Sequence, residues 1–456
     1  MSFFKAYDMR GAFGTDFDLE TVFRIGRWLP QVLGARRMLV GRDARLSSEA
    51  IRDALCRGLT ASGCDVDDMG LATTPMVYFF TAQGGYDASV QITASHNPAS
   101  HNGMKVSRAG AIPVGYDTGL SDVEARVVSG TLPPVAATAG TVRAVSYREA
   151  FVRWLRSYRA DLSGLRLAVD CSDGMAGLVI RDVLGEGPVY LNEVPDGHFP
   201  HHAPNPLEVE NCAQLMERVK ALGLDAGVIF DGDADRVMFV DETGAFIQPD
   251  YLIPVIAHTF LMREPGATVI YDIRTSRGVI EALHADGAKT VMGKVGHAFA
   301  KVLLRETGAV CGGELAGHYY FRDFFCCDSG ELAALLVLGA LAEAKRRGVS
   351  FSGLVAPVRC YANSGEMNFR VADKDGAVAA LLGALGPFGA PLAKATFDGV
   401  RIEFADWWFN VRKSNTEPYL RLVVEARDGT MLAARTALLR AVLALFSDTL
   451  AQHASG

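Results

Sequence analysis

The sequence predicts three successive α/β units closed by a smaller α+β domain, and three observations carry that prediction. The chain has 456 residues, several times what a single core of ~100–150 residues organises. Short apolar, β-rich runs alternate with segments of helical periodicity through most of its length, the pattern of α/β layers. Beyond residue 364 that rhythm gives way to strands of period two and a closing helix.

Taken in order, strands are expected at 37–40, 88–92, 166–169, 226–230, 268–271 and 290–291, and helices at 47–60, 147–158, 211–222 and 278–285. Segment 129–143 (SGTLPPVAATAGTVR) is small, polar and proline-containing, so it reads as a linker before a second unit. The turn-forming DETGAF around 243 ends that unit, and a third runs to about 357. The expected domains are therefore 1–143, 144–245, 246–357 and 358–456. In the last, 364–371 (SGEMNFRV) and 399–404 alternate as half-exposed strands, and 431–450 reads as helix.

Composition narrows the class. Hydrophobic residues at 49% and charged residues at 21% describe a folded globular chain rather than a disordered one. The apolar run 332–342 is far short of the ~20 residues that span a bilayer, so it reads as buried helix and no membrane partner is expected. The first residues (MSFFKAYDMRGAFG) lack the cationic and long apolar regions of a signal peptide, which points to a cytoplasmic protein. Eight cysteines, none in a CxxC pair, read as free thiols of a reducing compartment. A net charge of −7 argues against nucleic acid as a partner.

Four constellations carry chemistry. In Thr93-Ala94-Ser95-His96-Asn97-Pro98, running on to Asn102-Gly103-Met104-Lys105, a strand ends in a turn-forming loop, where α/β sheets place reactive groups. Ser95 is a candidate nucleophile or phosphate carrier, with His96 and Lys105 as helpers, because an unassisted hydroxyl is a poor nucleophile. A capped, solvated turn is the plainer alternative. In Asp231-Gly232-Asp233-Ala234-Asp235-Arg236, three carboxylates at alternate positions can converge on one hard cation, and without one they repel. A calcium-binding EF-hand loop is excluded, since Arg236 stands where that loop requires glycine. A haloacid-dehalogenase-like phosphatase with Asp231 as nucleophile stays open, but leaves Ser95 without a role.

The third constellation, Gly312-Gly313-Glu314-Leu315-Ala316-Gly317-His318, sets Glu314 and His318 on a tight loop. One carboxylate there can accept from two adjacent sugar hydroxyls, although a structural histidine fits the same residues. The fourth, Arg412-Lys413-Ser414-Asn415-Thr416-Glu417-Pro418 with Arg421 beyond, gathers cations, hydroxyls and an amide suited to a phosphate dianion.

With these four in this order, the chain resembles the α-D-phosphohexomutase superfamily, and most of all its phosphomannomutase/phosphoglucomutase branch. Lys5-Ala6-Tyr7-Asp8-Met9-Arg10-Gly11, Gly41-Arg42-Asp43-Ala44-Arg45, Gly70-Leu71-Ala72-Thr73-Thr74-Pro75, Asp196-Gly197-His198-Phe199-Pro200 and Asp398-Gly399-Val400 extend the likeness over nearly the whole length. The resemblance implies four domains, three of them similar mixed-sheet α/β units, around a central active-site cleft. It implies interconversion of hexose 1-phosphate and hexose 6-phosphate, of mannose, glucose or both. A phosphoserine at Ser95 would carry the group, with hexose 1,6-bisphosphate as intermediate and activator. One Mg²⁺ per chain would sit on Asp231, Asp233, Asp235 and a Ser95 oxygen. Arg10, Lys105 and Arg236 would offset charge at the transferring group, Lys105 or His297 would assist proton transfer, and His96 would stand beside Ser95 among the catalytic residues. Tyr7, Arg274, Lys294, Glu314 and His318 would meet the substrate, and Arg412, Ser414, Asn415, Thr416 and Arg421 its non-reacting phosphate.

The partners implied are small sugar phosphates, and the state is a monomer or weak homodimer. Leu315 is nearer the Met of this branch than the Gln of phosphoglucosamine mutases, which remain the alternative. Two positions depart from the pattern: Ala316 replaces a common Ser, and Arg274 a usual Lys.

Overall fold

The computed structural model describes residues 3–414 and 419–446. Four sheets follow one another along them. In the first, the strand order is Met9–Ala12, His101–Arg108, Ala88–Ile92, Arg37–Arg42, Asp65–Leu71, Val142–Ala144, and Ile112–Pro113 pairs with His101–Arg108. The four strands from Ala88–Ile92 to Val142–Ala144 are parallel, whereas the other two long pairings are antiparallel, so the sheet is mixed.

That reversal decides where the chemistry falls. The chain leaves the fully buried strand Ala88–Ile92, turns through 93–100 and returns alongside it, setting Lys105 opposite Gln91 and Arg10 opposite Gly103. Gly103 is required by the pairing, because a Cβ there would lie 2.2 Å from the Met9 carbonyl oxygen.

Segment 129–143 is not wholly a linker. Residues Val142–Ala144 form the edge strand of the first sheet, across the boundary expected at 143. All three are exposed, so no apolar periodicity marks them.

The second sheet runs Phe246–Ile247, Val237–Asp241, Ala226–Phe230, Leu167–Asp170, Val189–Leu191. The third runs Lys289–Gly293, Thr268–Asp272, Cys311–Gly313, Tyr319–Phe321, Cys327–Asp328. Ala226–Phe230 and Val237–Asp241 are buried at every position, and their antiparallel hairpin holds the aspartate loop at its closed end. The fourth sheet is entirely antiparallel: Ala362–Arg370, Tyr419–Ala426, Trp407–Lys413, Val400–Glu403, Ala393–Ala395. Helices Lys374–Gly383 and Gly429–Ala444 pack on it through Ala377, Leu381, Leu439 and Leu443. The helix expected at 431–450 begins earlier, capped by Asp428, and its last four expected residues lie outside the described ones.

One core joins the first three domains. Phe79, on helix Thr74–Gln83, meets Phe151 at 5.6 Å and Trp154 at 4.9 Å, both on helix Arg148–Arg156, and Trp154 meets Phe324 at 5.1 Å. The fourth domain has a core of its own and is tied to the third by a small apolar contact, Leu315 against Trp408 and Val423, and by polar bonds. Arg401 Nη1 donates to the carbonyls of Ile273 and Thr275 at 2.8 and 2.7 Å, and the Val295 amide donates to Asp398 at 2.7 Å. The cysteines are free thiols, all but Cys326 and Cys360 buried. No helix among the described residues is long and apolar enough to cross a membrane.

Candidate active site

A cavity of about 1320 Å³ opens between the domains. Its wall includes Tyr7, Arg10, His96 and Asn97 from the first domain, Arg236 from the second, Arg274, His297, Glu314 and His318 from the third, and Glu366, Arg412, Ser414 and Arg421 from the fourth.

Ser95 sits immediately behind that wall, 1% exposed, at the end of strand Ala88–Ile92. Its φ of +50° is left-handed, which costs a non-glycine residue about 1–2 kcal/mol and must be held by its surroundings. In this conformation its amide bonds to Thr93 Oγ1 at 2.9 Å, and its hydroxyl donates to Asp231 Oδ2 at 2.6 Å. His96 Nδ1 lies 3.3 Å from the same hydroxyl.

Asp231, Asp233 and Asp235 are fully buried, with oxygens within 4.8 Å of one another. Lys105 Nζ donates to Asp233 Oδ2 at 2.7 Å and to Asp235 Oδ2 at 2.5 Å, and Thr74 Oγ1 donates to Asp233 at 2.5 Å. Burial, then the neighbouring Asp233 and Asp235, push the Asp231 carboxyl well above the usual carboxylate range. Two oxygens, Asp233 Oδ1 and Asp235 Oδ1, are buried with no hydrogen-bond partner among the described residues. Bare, converging carboxylate oxygens beside a hydroxyl are the donor set of a hard divalent cation, and these residues fit one.

A second acidic group, Asp235, His318 and Asp328, already contains its own cation: Lys301 Nζ lies 2.7 Å from Asp328 Oδ1. His318 is held from both sides. Arg236 Nε donates to its Nε2 at 2.9 Å, so the ring proton sits on Nδ1, which faces Asp328 Oδ2 at 2.7 Å. Burial, then Lys301, keep the His297 imidazole well below its usual range and therefore neutral. Its Nε2 has no hydrogen-bond partner among the described residues.

Arg10 bonds to Asp8 at 2.6 Å and to the Asn97 side chain at 3.0 Å, so it braces the serine loop. Glu314 Oε1 accepts from the Gly296 amide at 3.0 Å and from Tyr320 Oη at 3.1 Å. Tyr7 Oη donates to the Val295 carbonyl at 3.1 Å.

The fourth domain contributes arginines. Arg412 and Arg421 are direct cross-strand partners, a like-charge pairing that is unfavourable alone. Glu366 resolves it, accepting from Arg421 at 3.0 Å, Arg274 at 3.1 Å and Arg412 at 3.4 Å. Burial opposes ionisation of Glu366, yet Arg274, Arg412 and Arg421 hold its carboxyl down at about 2. Arg274 also chelates Asp272, whose Oδ2 accepts the Leu315 amide at 3.0 Å, linking the arginines to the Glu314 loop.

Thus Ser95, His96, Lys105, Arg10, Arg236 and the three aspartates gather at one end of the site. His297, His318, Glu314 and Tyr7 stand on its wall, with Arg274, Arg412, Ser414 and Arg421. Lys294 does not join them: it is exposed, its ammonium 5.2 Å from the Phe299 ring, since its side chain leaves the strand end on the solvent side. Asn415 and Thr416 lie outside the described residues. Sequence reasoning missed Arg45, Thr74, Asp272, Lys301, Asp328 and Glu366. Arg45 and Thr74 stand inside quoted motifs, and Asp272 lies two residues before Arg274; that was the available signal.

Fold and site together define a four-domain enzyme built for phosphoryl chemistry, with an acidic cation site beside a hydroxyl and a separate arginine cluster on the same cavity. The chain matches, in order, the family descriptions "Phosphoglucomutase/phosphomannomutase, alpha/beta/alpha domain I" over residues 1–131, domain II over 146–244, domain III over 248–361 and the C-terminal domain over 366–440. A phosphomannomutase of Escherichia coli is 39% identical over 455 residues, covering 96% of this chain and 98% of the relative. A protein of Xanthomonas campestris named "Phosphohexose mutases" is 39% identical over 444 residues, covering 95% and 97%. The crystal structure of a phosphoglucomutase/phosphomannomutase family protein from Burkholderia thailandensis superposes with a TM-score of 0.87 at 31% identity, covering 97% of each chain. This chain belongs to the phosphoglucomutase/phosphomannomutase family, and like its members it is an isomerase.

Proposed function

We propose that this enzyme interconverts hexose 1-phosphates and hexose 6-phosphates, of mannose, glucose or both, through phosphorylated Ser95 and a hexose 1,6-bisphosphate. The observation that carries the reading is the 2.6 Å hydrogen bond from Ser95 Oγ to Asp231, within three buried aspartates directly behind the wall of the cavity that Arg412 and Arg421 also line. Two anion sites on one cavity suit a substrate that carries a phosphate at one end and receives one at the other.

A phosphoserine adds about −1.5 to −2 charges, and Arg10, Lys105 and Arg236 stand where they offset it. One Mg²⁺ held by Asp231, Asp233, Asp235 and a Ser95 oxygen would concentrate positive charge at the transferring phosphoryl group. In the forward step the bond from Ser95 Oγ to phosphorus breaks as a sugar oxygen bonds to that phosphorus. The sugar hydroxyl loses its proton as that bond forms and the Ser95 oxygen regains one as it leaves, a transfer that Lys105 or His297, neutral and on the cavity wall, would assist. Glu314 and His318 orient the ring hydroxyls. Arg412, Arg421 and Ser414, with Asn415 and Thr416, hold the distant phosphate. The bisphosphate then turns end over end, and its other phosphate returns to Ser95.

Ser95→Ala should abolish turnover of mannose 1-phosphate and glucose 1-phosphate while the variant stays folded, and phosphopeptide mapping of the parent should place phosphate on Ser95. Full activity in Ser95→Ala overturns the proposal, and phosphate found on Asp231 favours a phosphatase of the aspartyl type. Specificity constants for mannose, glucose and glucosamine 1-phosphates measure the substrate class directly.

A further inference from the structure

Two motifs, Gly41–Arg45 and Asp196–Pro200, have no part in the chemistry above, yet they meet at one buried side chain. Arg45 is 0% exposed, and all five of its guanidinium N–H donors have acceptors. Nε faces Asp43 Oδ2 at 3.1 Å. Nη2 donates to the carbonyls of Ser95 at 2.8 Å and Asn97 at 2.6 Å, and Nη1 to those of Pro98 at 2.6 Å and His101 at 3.0 Å. Four carbonyl dipoles aimed at one point repel one another, so the loop takes this shape only around a cation with a planar fork of donors.

The guanidinium is itself fixed. Asp43 accepts from Ser48 Oγ at 2.5 Å and from the Arg45 amide at 3.0 Å. The Phe199 ring lies 4.9 Å from Arg45 Cζ, brought there by Gly197, where a Cβ would stand 2.3 Å from the Ala44 oxygen. The second domain thereby presses on the clamp from outside. Gly232 of the aspartate loop also approaches so closely that a Cβ would lie 2.6 Å from the Ser95 carbonyl oxygen. Both approaches come from the second domain, one onto the clamp and one onto the Ser95 carbonyl.

We propose that Arg45 is a positioning residue of the phosphoryl-transfer site: by gathering the carbonyls of Ser95, Asn97, Pro98 and His101 it holds Ser95 in its left-handed conformation, with the hydroxyl against Asp231. The role presupposes Ser95 as phosphoryl carrier. Lysine at position 45 keeps the charge but has a single point of attachment, so it cannot span four carbonyls.

The test is Arg45→Lys, read by hydrogen–deuterium exchange of peptides covering 93–102, by thermal melting, and by kcat and KM for glucose 1-phosphate and mannose 1-phosphate. Exchange should accelerate in that loop while the second and third domains are unchanged. The kcat should fall roughly 100-fold, the scale of a 1 Å misplacement, with KM little altered. Unchanged loop exchange in the folded variant, or an unchanged kcat, overturns the assignment. Should Arg45→Lys fail to fold, Asp43→Asn and Phe199→Leu decide, since both keep the guanidinium and loosen its seat; faster loop exchange with lower kcat supports the clamp, and parental values for both end it. A parent enzyme inactive on hexose phosphates would defeat the functional reading, while loop exchange would still judge the clamp.

Discussion

His318 receives a hydrogen bond from Arg236 on one ring nitrogen and faces Asp328 with the other, so its tautomer is set by two neighbours rather than by solvent. Exchanging Asp328 for asparagine removes the charge that favours a proton on Nδ1. Asp328→Asn should lower turnover roughly 10–100-fold, the usual effect of disturbing a residue that orients a functional histidine. It also strands the buried Lys301 ammonium, a loss of about 3–5 kcal/mol in stability. The double variant Asp328→Asn with Lys301→Met relieves that burial penalty. Its turnover should stay low although its melting temperature recovers, and recovery of both would make the pair purely structural. None of this was legible in the sequence. Ser95 and the three aspartates stand in short contiguous motifs, so their grouping could be anticipated. Asp328, Lys301 and Glu366 gain their significance only from partners brought near by the fold, and Glu366 is 92 residues from Arg274.

At the level of elements, the strand Ala362–Arg370 presents Glu366 to arginines from two domains. Its side chain is 17% exposed and its carboxyl is held at about 2, against 4.5 for an ordinary glutamate. A depressed value means that the bonded, charged form stabilises the fold above the unfolded value and that this contribution drains away as pH falls through 4.5 toward 2. The difference corresponds to roughly 3 kcal/mol at neutral pH. Glu366→Gln should therefore lower the urea midpoint at pH 7 and by less than half as much at pH 3; a pH-independent difference would place the effect in packing instead. Period-two alternation revealed this strand, whereas Ala88–Ile92 and Ala226–Phe230 showed as short apolar, β-rich runs, because they are buried on both faces. Val142–Ala144 escaped, being short, at an edge and exposed, and so did the 3₁₀ turn Val209–Cys212, which stands where helix 211–222 was expected to begin.

Across the whole molecule, the kind of contact changes between the third and fourth domains. The first three share a continuous apolar core in which Phe79, Phe151, Trp154 and Phe324 interlock, and the third domain's helix Gly330–Arg346 abuts the aspartate loop with its first amide bonded to the Ala234 carbonyl at 3.1 Å. The fourth encloses its own core and is joined by one small apolar cluster, Leu315 with Trp408 and Val423, and otherwise through Arg274, Arg277 and Arg401 to carboxylates and carbonyls. Apolar cores unfold as units, whereas polar interfaces between domains separate at lower cost. Calorimetry should therefore resolve a large transition for the first three domains and a smaller one for the fourth. Phe79→Ala, which opens a cavity where those three domains meet, should cost about 3–5 kcal/mol and move only the large transition. The same division places Ser95, the aspartates and Glu314 among the first three domains and the Arg412–Arg421 pair in the fourth. Under the proposed mechanism, motion of the fourth domain would release the turning bisphosphate at its distant phosphate without disturbing the geometry around Ser95. A single transition displaced as a block by Phe79→Ala would mean that the fourth domain is docked as firmly as the rest, and that reorientation of the intermediate must proceed without it.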